Sequence, residues 1–226
     1  MKRTLIILLT LTFTAANFLY AQSRDSEFVG KKTTVKTVDG YIKNAFGLDL
    51  GVGGTSYNSA WWWSDASNAF AFDVGFRYLH NFSPYFGIDF FKIKPSVAIK
   101  SEGDVSYFGF NGQLMFGARG YSPTFTKSGM CGFGAFRMGG GVLASSFSRS
   151  SSDYNNNYNS NTSGFGSGLC YEFEVGLHIS RVFFIAFCYN HQGGSITFEN
   201  NDHKNEMDIS GGYSAFRMGF NFGRVR

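Results

Sequence analysis

Glu172, Glu174 and His178 fall at alternate positions of one short segment, and carboxylates beside an imidazole are the side chains of general acid–base chemistry or of a metal site. In an extended chain rising about 3.3 Å per residue, positions 172 and 178 lie about 20 Å apart. The three therefore cannot converge on one ion. The same spacing recurs among the other charges. Asp49, Asp73, Arg77, Asp89, Lys92, Lys94, Arg119, Arg137 and Arg217 all alternate with apolar positions, most of them flanked on both sides by Phe, Leu, Ile, Val, Tyr or Met. Such interleaving describes a sheet with two unlike faces. If the charged face is enclosed, its members must pair or neutralise, so what they do is form a cross-strand ion-pair network that fills an interior. A pore lined by these residues is the functional alternative.

The remaining reactive side chains make weaker patterns. His191, Ser195, Asp202 and His203 gather near one expected connection, but no nucleophile motif accompanies them, so no catalytic residue is assigned and no enzyme is expected. Gly51, Gly53 and Gly54, and the run Gly139 to Gly141, lack the spacing and following helix of a phosphate-binding loop. No Cys or His spacing suits a metal, and neither metal nor cofactor is expected. Cys170 and Cys188 share a face of consecutive strands. A turn centred on Ile179 would set them nearly opposite; one centred on Arg181 separates them and places His178 opposite Phe184, both pointing inward. The second turn is the expectation, and with it three free thiols.

Those side chains need strands to position them, and eight segments supply the period. Phe46, Leu48, Leu50 and Val52 line one side of the first; Phe70, Phe72, Val74, Phe76 and Tyr78 line the second. The third begins with Phe86, Ile88 and Phe90 and then slips, so a β-bulge at Phe90 and Phe91 is required to return Lys92 and Lys94 to the charged side. Pro95 in this strand cannot donate to a ladder. A hairpin through Ser101 to Asp104 is expected to set Val97 opposite Phe108 and Lys92 opposite Gln113. Later segments carry Phe108, Phe110, Leu114 and Phe116; Phe136, Met138 and Val142; Tyr171 through Ile179; Phe183, Ile185, Phe187 and Tyr189; and Phe216, Met218, Phe220 and Phe222. Long connections are expected at Gly54 to Asn68, Ser145 to Ser167 and Gly193 to Ser210, with tight turns near Asn81 and Ser180. The Ser, Asn, Tyr and Gly composition of 145 to 167 reads as a disordered surface loop for recognition. Trp61, Trp62 and Trp63 read as membrane-interface anchors.

Lys2 and Arg3 precede an apolar run from Leu5 to Tyr20, with the small Ala21 at a cleavage point, which reads as a signal peptide over 1–21. A polar lead-in follows over 22–40, and the barrel occupies 41–226. Removing the signal changes the net charge from +4 to 18 − 16 = +2, without the electrostatic footprint of a nucleic-acid binder. No later stretch is long and apolar enough for a membrane helix, so entry into a membrane would be by strands. Charged residues make up 16% of the chain, below the about 25% of ordinary soluble domains. The positions between the phenylalanines are largely Gly, Ala, Asn, Asp and Arg, which suits a narrow interior better than a solvated sheet. Tyr78, Tyr85, Tyr171, Tyr189 and Tyr213 sit near strand ends, where aromatic girdles lie.

On these residues the chain resembles, over about 41–226, the small outer-membrane barrels of Gram-negative bacteria: the OmpA transmembrane domain, OmpX and OmpW group. The resemblance implies an all-β, eight-stranded antiparallel transmembrane barrel of up-and-down order in the outer membrane. It implies insertion by the barrel-assembly machinery, contact with outer-membrane lipid and lipopolysaccharide, and an extracellular ligand or host surface as partner. The end of the chain, Phe222, Gly223, Arg224, Val225 and Arg226, departs from the terminal aromatic that the machinery recognises. The expected role is structural or surface-interacting through extracellular loops; the alternative is a narrow transporter for small, hydrophobic solutes, and a lipid-modifying enzyme ranks below both.

Overall fold

The computed structural model describes residues 42–58, 68–103, 105–123, 130–153, 156–200 and 203–225. The expected signal peptide and lead-in, Asp202, and the tryptophans Trp61, Trp62 and Trp63 lie outside the described residues. Eight strands follow in chain order: β1 (Ile42–Asn58), β2 (Phe70–Asn81), β3 (Phe86–Glu102), β4 (Val105–Tyr121), β5 (Cys131–Asp153), β6 (Asn156–His178), β7 (Phe183–Asn200) and β8 (His203–Val225). Each pairs antiparallel with the next, and β8 pairs with β1, closing a barrel in meander order.

Register follows from keeping like against like. Phe72 aligns with Val52 on one side and Val97 on the other, while Asp73 aligns with Gly51 and Ser96; a one-residue slip would exchange the faces. Tracing ladder partners from Leu48 through Phe76, Ile93, Leu114, Gly140, Leu169, Gly193 and Ser210 returns to β1 at Asn58, ten residues further on. With strand rise and spacing at their usual values, that stagger tilts the strands by roughly 40°. An interior of this size is filled by side chains.

The bulge is where the alternation requires it. The β2–β3 register shifts between Tyr78 and Leu79, the β3–β4 register shifts between Asp89 and Lys92, and Phe90 and Phe91 both point outward. Pro95 leaves its mark one turn of the pleat later: the β2–β3 ladder passes from Asp73↔Ser96 to Phe76↔Ile93 without the two intervening pairs, because proline has no N–H to give. The β6–β7 turn sets His178 opposite Phe184, Cys170 opposite Gln192 and Cys188 opposite Glu174, so the three cysteines are free.

Two expectations are corrected. The β3–β4 hairpin is centred one residue further along the chain, with Glu102 opposite Val105, so Val97 meets Phe110 and Lys94 meets Gln113; the parity is as expected but the partners move by two. The stretches 145–167 and 193–210 are not loops. β5 and β6 pair as far as Asp153↔Asn156, and β7 and β8 as far as Asn200↔His203. Low-complexity composition hid a period that persists in Leu143, Ser145 and Phe147 and in Ile196 and Phe198, all inward and buried.

Candidate functional site

Within the lumen, Asp49, Asp73, Arg77, Asp89, Lys92, Lys94, Arg119, Arg137, Glu172, Glu174 and Arg217 are each at most 1% exposed. Strand pairing places a glycine beside several of the charged residues: Gly75 opposite Asp49, Gly51 opposite Asp73, Gly47 opposite Arg77 and Gly117 opposite Arg137. A Cβ at Gly75 would press into the Asp49 carboxylate, and one at Gly47 would lie 2.6 Å from Arg77 Nε. The interior glycines are therefore the space into which the charges fold.

Two glutamates organise the cluster. Glu174 accepts from Arg217 Nη1 at 2.9 Å, Arg119 Nη2 at 3.0 Å, Arg137 Nη1 at 3.3 Å and Lys92 Nζ at 3.4 Å. Glu172 accepts from Arg137 Nη1 at 2.8 Å, Lys92 Nζ at 2.9 Å and Lys94 Nζ at 3.1 Å. Around them, Arg217 Nη2 holds both oxygens of Asp73 at 3.0 Å, Arg137 Nε reaches Asp89 at 2.6 Å and Arg77 Nη1 reaches Asp49 at 3.2 Å. Cross-strand pairs in a site without water lose much to desolvation and recover it only when each charge meets several opposites. Glu172, Glu174, Asp49, Lys92, Arg137 and Arg217 meet that condition, whereas Lys94, Asp73 and Arg119 each hydrogen-bond to a single opposite charge.

His178 stands apart from the network. It lies four residues below Glu174 on β6, its ring centroid 5.0 Å from that of Phe133 and 5.6 Å from that of Phe184, with Tyr121 at 5.8 Å. These rings form a floor at the end of the barrel that carries the β2–β3, β4–β5 and β6–β7 connections. Toward the opposite end, the lumen changes character twice. Gln113 and Asn190 exchange amide hydrogen bonds of 2.9 and 3.0 Å, and Asn111 donates to Gln192 at 2.6 Å. Beyond the amides come Tyr107, Leu143, Phe147, Ile196, Phe198 and Ile209, buried together. The amide layer's β7 half and most of this apolar cap are absent from the residues singled out by sequence, although the inward period of Ile196 and Phe198 could have marked it.

His191 and Ser195, considered for a nucleophile set, lie four residues apart along β7. His191 instead stacks on Tyr171 at 4.9 Å and has Nε2 3.4 Å from Ser210 Oγ. Among the described residues no group of His, Cys, Asp and Glu is arranged to hold a metal ion.

The outer wall is the reverse of the lumen. Phe46 is 63% exposed, Leu114 58% and Phe187 57%, and they belong to a belt that runs through all eight strands, from Val52, Phe76 and Ile93 to Met138, Val175 and Phe216. An apolar belt outside and eleven charges inside invert the order of a water-soluble barrel. This is the architecture of a small outer-membrane β-barrel. No protein-family model matches the chain, and no curated protein matches it. Solved structures similar to it include Ail, the attachment invasion locus protein of Yersinia pestis, at 11% identity and a TM-score of 0.48 over 80% of this chain and 99% of that one. A major outer membrane protein from Thermus thermophilus is similar at 9% identity and a TM-score of 0.47, over 79% and 99% of the two chains. The outer membrane protein OprG from Pseudomonas aeruginosa follows at 12% and 0.40, over 82% and 99%.

Proposed function

We propose that this barrel is a non-enzymatic surface-interaction protein of the outer membrane, exported through a cleaved signal peptide, which binds an extended segment of an extracellular partner along the projecting part of its sheet. The observation that carries the reading is the unequal length of the strands. A transmembrane strand needs about 9–11 residues, whereas β5, β6 and β8 have 23 each. Their excess lies at the end that carries the β5–β6 and β7–β8 connections, opposite Ile42 and Val225, and in this proposal that end is extracellular.

The projecting strands outrun their neighbours. β4 pairs with β5 only as far as Val105↔Arg149, while β5 runs on to Asp153. Among the described residues, the backbone of 151–153 in β5 therefore has no ladder on its outer side. Unpaired strand edges accept an added strand through main-chain hydrogen bonds. A lumen closed by floor, ion pairs, amides and apolar cap leaves little for the transporter reading.

Two measurements test the proposal. Protein reconstituted in planar bilayers should be electrically silent, and bacteria displaying it should lose adhesion to host cells when 150–159 is replaced by a two-residue turn that leaves the barrel folded. Reproducible conductance steps, or adhesion indifferent to the replacement, would overturn it.

A further inference from the structure

The lumen does not balance. Among the described residues it encloses six cationic side chains, Arg77, Lys92, Lys94, Arg119, Arg137 and Arg217, against five carboxylates, Asp49, Asp73, Asp89, Glu172 and Glu174. The surplus can be located. Arg119 spends one nitrogen on Glu174 and comes no closer to Asp89 than 3.9 Å, while its Nε and Nη1 have no hydrogen-bond partner; Arg77 Nε has none either. Both guanidinium groups face the same aromatic floor: Arg77 Cζ lies 4.5 Å from the Phe184 centroid, and Arg119 Cζ lies 5.9 Å from it and 4.5 Å from Phe133. His178 Nε2, above the same two rings, is likewise without a partner. Three buried guanidinium N–H donors, one unpartnered imidazole nitrogen and one uncompensated positive charge thus coincide at the floor of the barrel.

We propose that a small monovalent anion of halide size binds there, between the unpartnered guanidinium nitrogens of Arg119 and Arg77. Buried N–H groups require acceptors, and a buried unpaired cation is costly in proportion to how completely it is desolvated. A water molecule would serve the donors and reach the open Oδ1 of Asp89, but it brings no charge. A halide supplies both the acceptor and the missing negative charge. It also fixes Arg119, whose closest other contacts are Glu174 and the face of Phe133, and so stiffens the floor that closes the lumen.

Diffraction from crystals of the unaltered protein grown in bromide tests the site directly. The expected result is an anomalous peak touching Arg119 Nε and Nη1 inside the barrel. In detergent, the unfolding midpoint should be higher in chloride than in gluconate at equal ionic strength, and Arg119→Gln, where it folds, should erase the difference. An ordered water with no anomalous signal, bromide found only on the exterior, or a midpoint indifferent to the anion would each overturn the proposal.

Discussion

Glu174→Gln keeps the size of the side chain and deletes one negative charge from the middle of the lumen. The carboxylate it removes lies within 3.6 Å of Arg77, 3.4 Å of Lys92, 3.0 Å of Arg119, 3.3 Å of Arg137 and 2.9 Å of Arg217. Each of those cations except Arg119 also lies within 3.5 Å of another carboxylate. The cost is therefore concentrated on Arg119. Breaking one buried pair by removing a partner costs about 3–5 kcal/mol, and that range is the expected loss for Glu174→Gln. Asp73→Asn should cost less, about 1.5–3 kcal/mol, since it removes charged hydrogen bonds from Arg217 alone. Adding Arg119→Gln to Glu174→Gln takes out a matched pair and restores the earlier surplus, so the double variant should be more stable than Glu174→Gln by at least about 1 kcal/mol. Equilibrium urea unfolding in lipid vesicles, followed by tryptophan fluorescence and by the heat-dependent gel mobility of closed barrels, gives all four free energies. A Glu174→Gln loss below about 1 kcal/mol, or no recovery in the double variant, would refute the view that the network is tightly coupled.

The outer wall gives a second set of expectations. Ile93→Lys places a charge on the apolar belt and should destabilise by about 2–4 kcal/mol in bilayers, whereas Ser195→Lys, beyond the belt on β7, should cost about 0–1 kcal/mol; unfolding titrations in vesicles compare them. Pro95→Val supplies the missing ladder donor toward β2 and should stabilise by about 0.5–1.5 kcal/mol in the same titrations. Gly75→Val, whose side chain would collide with Asp49, should leave the protein in the unfolded, slow-migrating form on unheated gels. Cys170 and Cys188 should resist maleimide until the barrel is unfolded, and intact mass under non-reducing conditions should show three thiols and no bridge.

Most of the barrel was legible because period-two alternation is a local signal: the eight segments, the bulge at Phe90 and Phe91, and the β6–β7 turn all follow from which side a phenylalanine or an arginine must take. The enclosed charges were legible for the same reason. Register across the β3–β4 hairpin was not, since shifting a hairpin by two residues preserves every face and only the turn geometry at Gly103, with φ of 57°, decides it. The projecting parts of β5 to β8 were misread as loops because Ser, Asn and Gly carry little strand preference, and pairing with the neighbouring strand is a non-local cause. The placing of His178 opposite Phe184 followed from the β6–β7 turn, but Phe133 from β5 did not, because the β5–β6 pairing that brings it beside His178 is not written in either strand alone.

Along β7 the outward side chains run from Phe183, Ile185, Phe187 and Tyr189 to Ser195 and Thr197, while the inward ones run from Ala186, Cys188, Asn190 and Gln192 to Ile196 and Phe198. A single strand thus carries a waterline. Below it the oily side must face hydrocarbon; above it the oily side faces inward, as in any protein core. Sinking the molecule by one pleat would drag hydroxyls among acyl chains, and raising it would strand phenyl rings in water, so its depth is held from both directions. The portion above the waterline has a core of its own, in which Leu143, Phe147, Ile196, Phe198 and Ile209 are buried by one another and not by lipid.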